Sequence, residues 1–182
     1  MQVILNEKFD WATLNNEQVF KDLYKQYFVQ LYMFAISFVH CNESAEEIVH
    51  DVLINLWKKR NSFSEIENLN TYLYVSVKNL CLNSLRDTGK YKHVDIEALY
   101  DEQSSCAIDP ESIFIGKEKI RDLNAVIDHL PARCKMVFRL VKEDGLKYKQ
   151  VAAVLNISVK TVENQLAIAI KKLALVYQPN RR

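Results

Sequence analysis

Leu146–Leu173, LKYKQVAAVLNISVKTVENQLAIAIKKL, reads as two helices joined by a tight turn, the second loaded with polar and basic side chains. Val151, Ala152 and Leu155 fall at helical spacing and give the first helix an apolar face. Ala152 is small enough to let a second helix cross closely. Asn156 tolerates the left-handed backbone that ends a helix, though less readily than Gly. Ile157 can turn back into the core, and Ser158 is a good N-cap. Val162, Leu166 and Ala169 then face inward, while Lys160, Thr161, Glu163, Asn164 and Gln165 face out. This is the pattern of a helix-turn-helix, which sets its second helix into the major groove of DNA. Asn and Gln suit adenine edges there, and Lys171 and Lys172 suit phosphates. A plain helical hairpin would share the apolar spacing; the agreement of small residue, turn and cap favours the helix-turn-helix.

Composition extends the helical reading to the whole chain. Its 182 residues contain only three Gly and three Pro, 49% are hydrophobic, and no stretch alternates like a strand. The expected fold is all-α, with two small helical domains. No apolar run approaches membrane-spanning length, and the N-terminus MQVILNEKFD lacks a basic region leading into an apolar one. A cytoplasmic protein is expected. Cys41, Cys81, Cys106 and Cys134 are widely spaced with no CxxC pair, which fits reduced thiols.

A net charge of +1 hides a strong alternation. Residues 1–56 carry 3 Lys/Arg against 8 Asp/Glu, and residues 57–93 carry 7 against 3. Residues 94–118 carry 1 against 7, residues 119–141 carry 5 against 2, and residues 142–182 carry 8 against 3. Charge blocks are commonly solvated faces. Alternation this large also fits nucleic-acid surfaces interleaved with protein-facing ones. The chain divides at His93–Glu111, HVDIEALYDEQSSCAIDPE, an acidic linker of weak periodicity with a helical turn expected near Ile96–Tyr100. The expected domains are residues 19–92 and 112–176, flanked by an extension (1–18) and a tail (177–182).

The N-terminal half is dense in aromatics. Phe20, Leu23, Tyr24, Tyr27, Leu31, Phe34, Ala35 and Phe38 mark a long amphipathic helix, broken at Asn42–Ser44. Ala45–Arg60 forms the next, with Ile48, Val49, Val52, Leu53 and Leu56 on one face. Glu46, Glu47, His50, Asp51 and Asn55 lie opposite. Acids in its first turn and bases in its last suit the helix dipole. Phe63–Asn70 is expected as a polar loop and Thr71–Asp87 as a third helix. In that helix Leu73, Val77, Leu80 and Leu85 are expected to pack inward. Tyr72, Tyr74, Lys78, Asn79, Asn83 and Arg86 would then form a mixed aromatic and basic surface, which suits unpaired bases and their backbone. Tyr72 and Tyr74 would equally serve as half-buried core aromatics.

The runs SAEEIVHDVLINLWKK, NTYLYVSVKNLCLNSLRD, LPARCKMVFRL and GLKYKQVAAVLNISVKTVENQLAIAIKKL occur in the order found in bacterial sigma factors. Over Val19–Lys172 the chain resembles the two-domain extracytoplasmic-function (ECF) group, in the style of its Bacteroidetes members. The resemblance implies a transcription initiation factor that binds core RNA polymerase, places it on promoter DNA and opens the duplex. It assigns polymerase contact to Asp51, Asn55 and Lys58, although a solvated helix face would look the same. It assigns base capture to the Phe63–Asn70 loop and −10 reading to Tyr72, Tyr74, Lys78, Asn79, Asn83 and Arg86. Asn79 has a second reading, as a structural residue bonding the backbone between helices. On the −35 side the candidates are Lys160, Thr161, Asn164, Gln165 and Lys171. The acidic linker would thread through the polymerase, imitating nucleic acid in a basic channel. An anti-sigma factor, often membrane-anchored, is the further partner implied.

Some positions depart from the family. Lys147 stands where Ser or Thr often caps the first helix of the motif, leaving Gln150 in its first turn. Asn156 replaces the commoner Gly. Ala167, Ile168 and Ile170 replace Arg or aromatic residues, which leaves fewer phosphate anchors. The other readings are a free-standing helix-turn-helix regulator with a helical sensory or dimerisation domain, and a helical enzyme or metal-binding bundle. Glu46, Glu47 and Asp51 have no matching carboxylate/His set, His40-Cys41 reads as a helix end, and neither a phosphate loop nor a nucleophile motif is present. No catalytic activity, cofactor or metal is expected.

Overall fold

A computed structural model describes residues 16–60, 68–87 and 127–176, and every regular element among them is helical. They fall into two compact units, one holding α1 (Glu17–Val39), α2 (Asn42–Lys58) and α3 (Leu69–Asp87). The other holds the bulk of α4 (Ala132–Phe138), α5 (Tyr148–Leu155) and α6 (Val159–Val176). The acidic linker and its expected helical turn lie outside the described residues, as do residues 61–67 of the expected loop.

In the N-terminal unit each helix end has a chemical cause. Asn16 caps α1, its side chain accepting from the Gln18 N–H at 2.8 Å. His40 ends α1 in the left-handed conformation at φ 51°, its N–H bonded to the Ile36 carbonyl. The His40-Cys41 pair is thus a helix end. α2 begins at Asn42, three residues before the expected Ala45, and α3 at Leu69, within the expected loop. The three helices enclose a core in which Leu31, Ala35, Val49, Leu53, Leu56, Leu73 and Val77 are almost wholly buried.

Aromatic rings tie α1 to its neighbours. Tyr24, Phe28 and Tyr32 stack in series along α1, and His50 of α2 stacks on Tyr24 and Phe28 at 6.0 and 5.3 Å. His50, expected opposite the apolar face of α2, is thus half-buried against α1. Phe20 packs on Trp57 at 4.8 Å, and the Arg60 guanidinium lies over the indole ring, 4.3 Å from its centre.

In the C-terminal unit Ile127, Leu130, Cys134 and Ala169 form a buried cluster, with Phe138 and Leu173 against it. After α4 the chain widens into a π-helical turn, Arg139–Glu143. There the Asp144 N–H bonds to the Arg139 carbonyl at 3.0 Å, five residues back. Gly145 follows at φ 71°, a left-handed setting natural to glycine, and Leu146 returns to the interior.

The turn between α5 and α6 forms as its residues dictate. Asn156 is left-handed at φ 56°, and the Ala152 carbonyl accepts from both Asn156 and Ile157. Ser158 Oγ accepts the Thr161 N–H at 3.0 Å and shares a 2.8 Å hydrogen bond with its hydroxyl. At the start of α5, Gln150 Oε1 accepts the Lys147 N–H at 2.6 Å, so one half of a capping box survives without Ser or Thr.

Candidate functional sites

Three polar stripes are the places where these helices could meet a partner. The first runs along α2. Asp51, Asn55 and Lys58 are all exposed and recur at spacings that share one face, opposite the buried Val49, Val52, Leu53 and Leu56. Ile54 sits among them, 44% exposed. Sequence reasoning passed over it, although an isoleucine out of phase with five inward apolar residues is a legible signal. Ile54 thus shares its face of α2 with an acid, an amide and a cation.

The second stripe lies on α3 and differs from expectation. Asn79, Asn83 and Arg86 are exposed, Tyr72 is half-buried, and all four share one face. Arg86 Nη1 donates to Asn83 Oδ1 at 3.2 Å. Tyr74 and Lys78 do not join this surface: Tyr74 is 1% and Lys78 7% exposed. Tyr74 packs edge-on against Phe34 of α1, ring centres 5.0 Å apart. The buried residues of α3 are Leu69, Leu73, Tyr74, Val77, Lys78, Cys81, Leu82 and Leu85, and Leu80 is half-buried. Of the expected inward residues, Leu73, Val77 and Leu85 are buried and only Leu80 is not, while Tyr74 joins them because α3 carries apolar residues on nearly every side.

The third stripe lies on α6. Lys160, Asn164 and Lys171 are exposed on one face, with Lys160 Nζ 3.3 Å from Glu163 Oε2. Thr161 and Gln165 lie at its flank and are engaged elsewhere. Thr161 belongs to the Ser158 cap, and Gln165 Oε1 accepts from Cys134 Sγ at 2.9 Å. Further along the helix, Ile168 and Ile170 are 43% and 46% exposed. The outer surface of α6 is thus polar in its first half and apolar, with lysines, in its second. Lys135 of α4 and Arg139 of the π turn both pair with Asp128 at 3.3 Å, and Arg139 also lies 3.8 Å from Glu143, so they offer less free charge than the basic block implied.

Among the described residues no three His, Cys, Asp or Glu side chains group as metal ligands, and no helix is long and apolar enough to cross a membrane.

Residues 23–91 match Sigma-70 region 2, and residues 120–173 match Sigma-70, region 4, together more than half of the chain. The ECF RNA polymerase sigma factor SigW of Bacillus subtilis is 21% identical over 173 residues, covering 91% of this chain and 92% of that protein. The ECF RNA polymerase sigma-E factor of Escherichia coli is 26% identical over 140 residues, 73% of each. Among solved structures, the sigma factor RpoE in complex with the anti-sigma factor NepR from Bartonella quintana matches with a TM-score of 0.57. Its identity is 22%, over 90% of this chain and 99% of that one.

Proposed function

The chain belongs to the sigma-70 family as an ECF sigma factor, and we propose on that premise that its three polar stripes divide the labour of transcription initiation. The stripe on α2, with Asp51, Ile54, Asn55 and Lys58, docks on core RNA polymerase. Tyr72, Asn79, Asn83 and Arg86 on α3 engage the −10 element as it opens. Lys160, Asn164 and Lys171 on α6 read the −35 duplex, and Thr161 and Gln165 support that helix from its flank. The observation that carries this reading is that both matched regions present a polar stripe on a helix whose other face is core.

The chemistry suits each task. Tyr72 offers a ring face to an unpaired base, Asn79 and Asn83 offer amides, and Arg86 offers a cation to the backbone. Asn164, near the start of α6, is placed as recognition-helix residues are when they touch base edges, and Lys171, nearly two turns on, suits a phosphate. Initiation of this kind needs no catalytic group of the factor's own. The units correspond to residues 19–92 and 112–176, and 93–111 is the acidic connector. The partners are core polymerase, promoter DNA and an anti-sigma factor, in some settings membrane-anchored, with the cytoplasm as the place of action. The runs SAEEIVHDVLINLWKK and NTYLYVSVKNLCLNSLRD support a Bacteroidetes-type member. A free-standing regulator is not favoured, since it leaves the match of residues 23–91 without a role.

The test is to add the purified chain to core polymerase and a library of promoter fragments. Transcription that depends on the chain supports the reading. Tight operator binding without polymerase, and no stimulated transcription, would replace it with the regulator.

A further inference from the structure

Tyr27 is a buried residue of α1, 5% exposed, and its hydroxyl donates to Asn70 Oδ1 in the first turn of α3. The same turn is capped from the other side. Asn68 Oδ1 accepts the Thr71 N–H at 2.9 Å and the Thr71 hydroxyl at 3.1 Å, and the Asn68 carbonyl accepts the Tyr72 N–H at 3.1 Å. Burial raises the pKa of Tyr27, so the phenol stays protonated and remains a donor.

A helix start leaves its first N–H groups without intrahelical partners, and such ends are where helices open most easily. Tyr72, the aromatic member of the α3 stripe, stands in this turn. The Asn68 cap holds the turn to itself. The Tyr27 hydroxyl does something different: it ties the turn to the core across 43 residues of sequence. A side chain on a turn held this way keeps one setting relative to α1, and a surface set in advance avoids the cost of ordering itself on contact.

We propose that the Tyr27–Asn70 hydrogen bond is a positioning device for promoter opening, holding the start of α3 and Tyr72 in the setting that meets an unstacked −10 base. The proposal rests on the reading of α3 as the −10 helix. Extruding a base is itself uphill, so a capture surface that must still order itself adds to the same barrier. Tyr27 touches no nucleotide in this scheme, and Asn70, the last residue of the span to which the resemblance assigns base capture, turns its amide oxygen to Tyr27; both act through Tyr72.

The test uses full-length chain assembled with core polymerase on a duplex promoter selected by that holoenzyme, with 2-aminopurine in the −10 element reporting opening. Tyr27→Phe removes only a hydroxyl and keeps the buried ring. It is expected to slow opening about 5- to 10-fold, with polymerase affinity unchanged by titration. Asn70→Ala is expected to do the same, and Asn70→Asp, which keeps an oxygen acceptor, to restore the rate. On a template premelted over the −10 element the defect should shrink. Opening by Tyr27→Phe at the wild-type rate overturns the proposal. So does a loss of opening that merely follows a loss of polymerase binding. A wild-type chain that directs no opening at all overturns the sigma-factor reading, and this proposal with it.

Discussion

Cys134 of α4 points its thiol at the side-chain oxygen of Gln165 on α6, 2.9 Å away. The amide is therefore held by the interior of the C-terminal unit, while Asn164, one residue earlier, is exposed. Gln165 and Asn164 looked alike in sequence. They should behave differently on DNA: Asn164→Ala is expected to weaken −35 binding by about 1–3 kcal/mol and relax preference at one base position. Gln165→Ala should change sequence preference little and lower stability instead. Competition binding on −35 fragments carrying each base substitution separates the two, and equal effects on preference would refute the distinction.

Tyr72 and Tyr74 divide in the same way. Tyr74→Ala removes a ring packed on Phe34 and is expected to destabilise the N-terminal unit by about 3–5 kcal/mol, as for other buried aromatics. Tyr72→Ala should leave stability within about 1 kcal/mol and slow promoter opening. Urea unfolding and opening kinetics on the same two variants check this. A stable Tyr74→Ala chain would contradict the packing.

The α2 stripe predicts a polymerase contact with an apolar centre. Ile54→Asp should weaken core binding about tenfold or more, with little change in stability because the side chain is already 44% exposed. Asp51→Lys should weaken binding most at low salt, as a screened rim charge does. A titration of labelled chain against core polymerase at two salt concentrations gives both results. Unaltered affinity in both variants would move the contact off α2.

Cys81 predicts a pH dependence in the alkaline range. Burial pushes its thiol up to about 12, against an ordinary value of 9.0. Below the ordinary value the thiol is protonated whether the chain is folded or not. Between about 9 and about 12 only the unfolded chain has released the proton, so stability falls as pH rises through that window. Tyr24 and Tyr27, both raised chiefly by burial, contribute with the same sign. Urea midpoints at pH 8, 9 and 10 should decline, and Cys81→Ala should decline less steeply. Identical slopes would show that the thiol titrates normally.

Much of the fold was legible because its signals were local. Asn156, Ser158 and the Val162–Leu166–Ala169 spacing specify a turn and a helix within a few residues, and the structure forms them as written. The α3 face was less legible. A helix with Leu, Val, Tyr or Cys at most positions has no single apolar phase, and the partner helix decides which side goes inward. The Tyr27–Asn70 and Cys134–Gln165 pairs were not legible at all, since each joins residues from different helices. Exposure followed the same rule: Asp51, Asn55 and Lys58 of α2 lie outward as expected, three of the five α6 candidates do, and α3 concealed which aromatic was outward.

The π turn at Arg139–Glu143 has a consequence for comparing lengths. Such a turn is an α-helix that has accepted one extra residue. Each residue of an α-helix advances the direction by about 100°. Deleting one residue from this turn would close the ordinary i→i−4 ladder and leave every side chain after it rotated by that amount. Leu146, 2% exposed, would be swung off the interior, and α5 would leave in a new direction. A one-residue deletion here is thus expected to harm the helix-turn-helix more than a substitution at any exposed position within it.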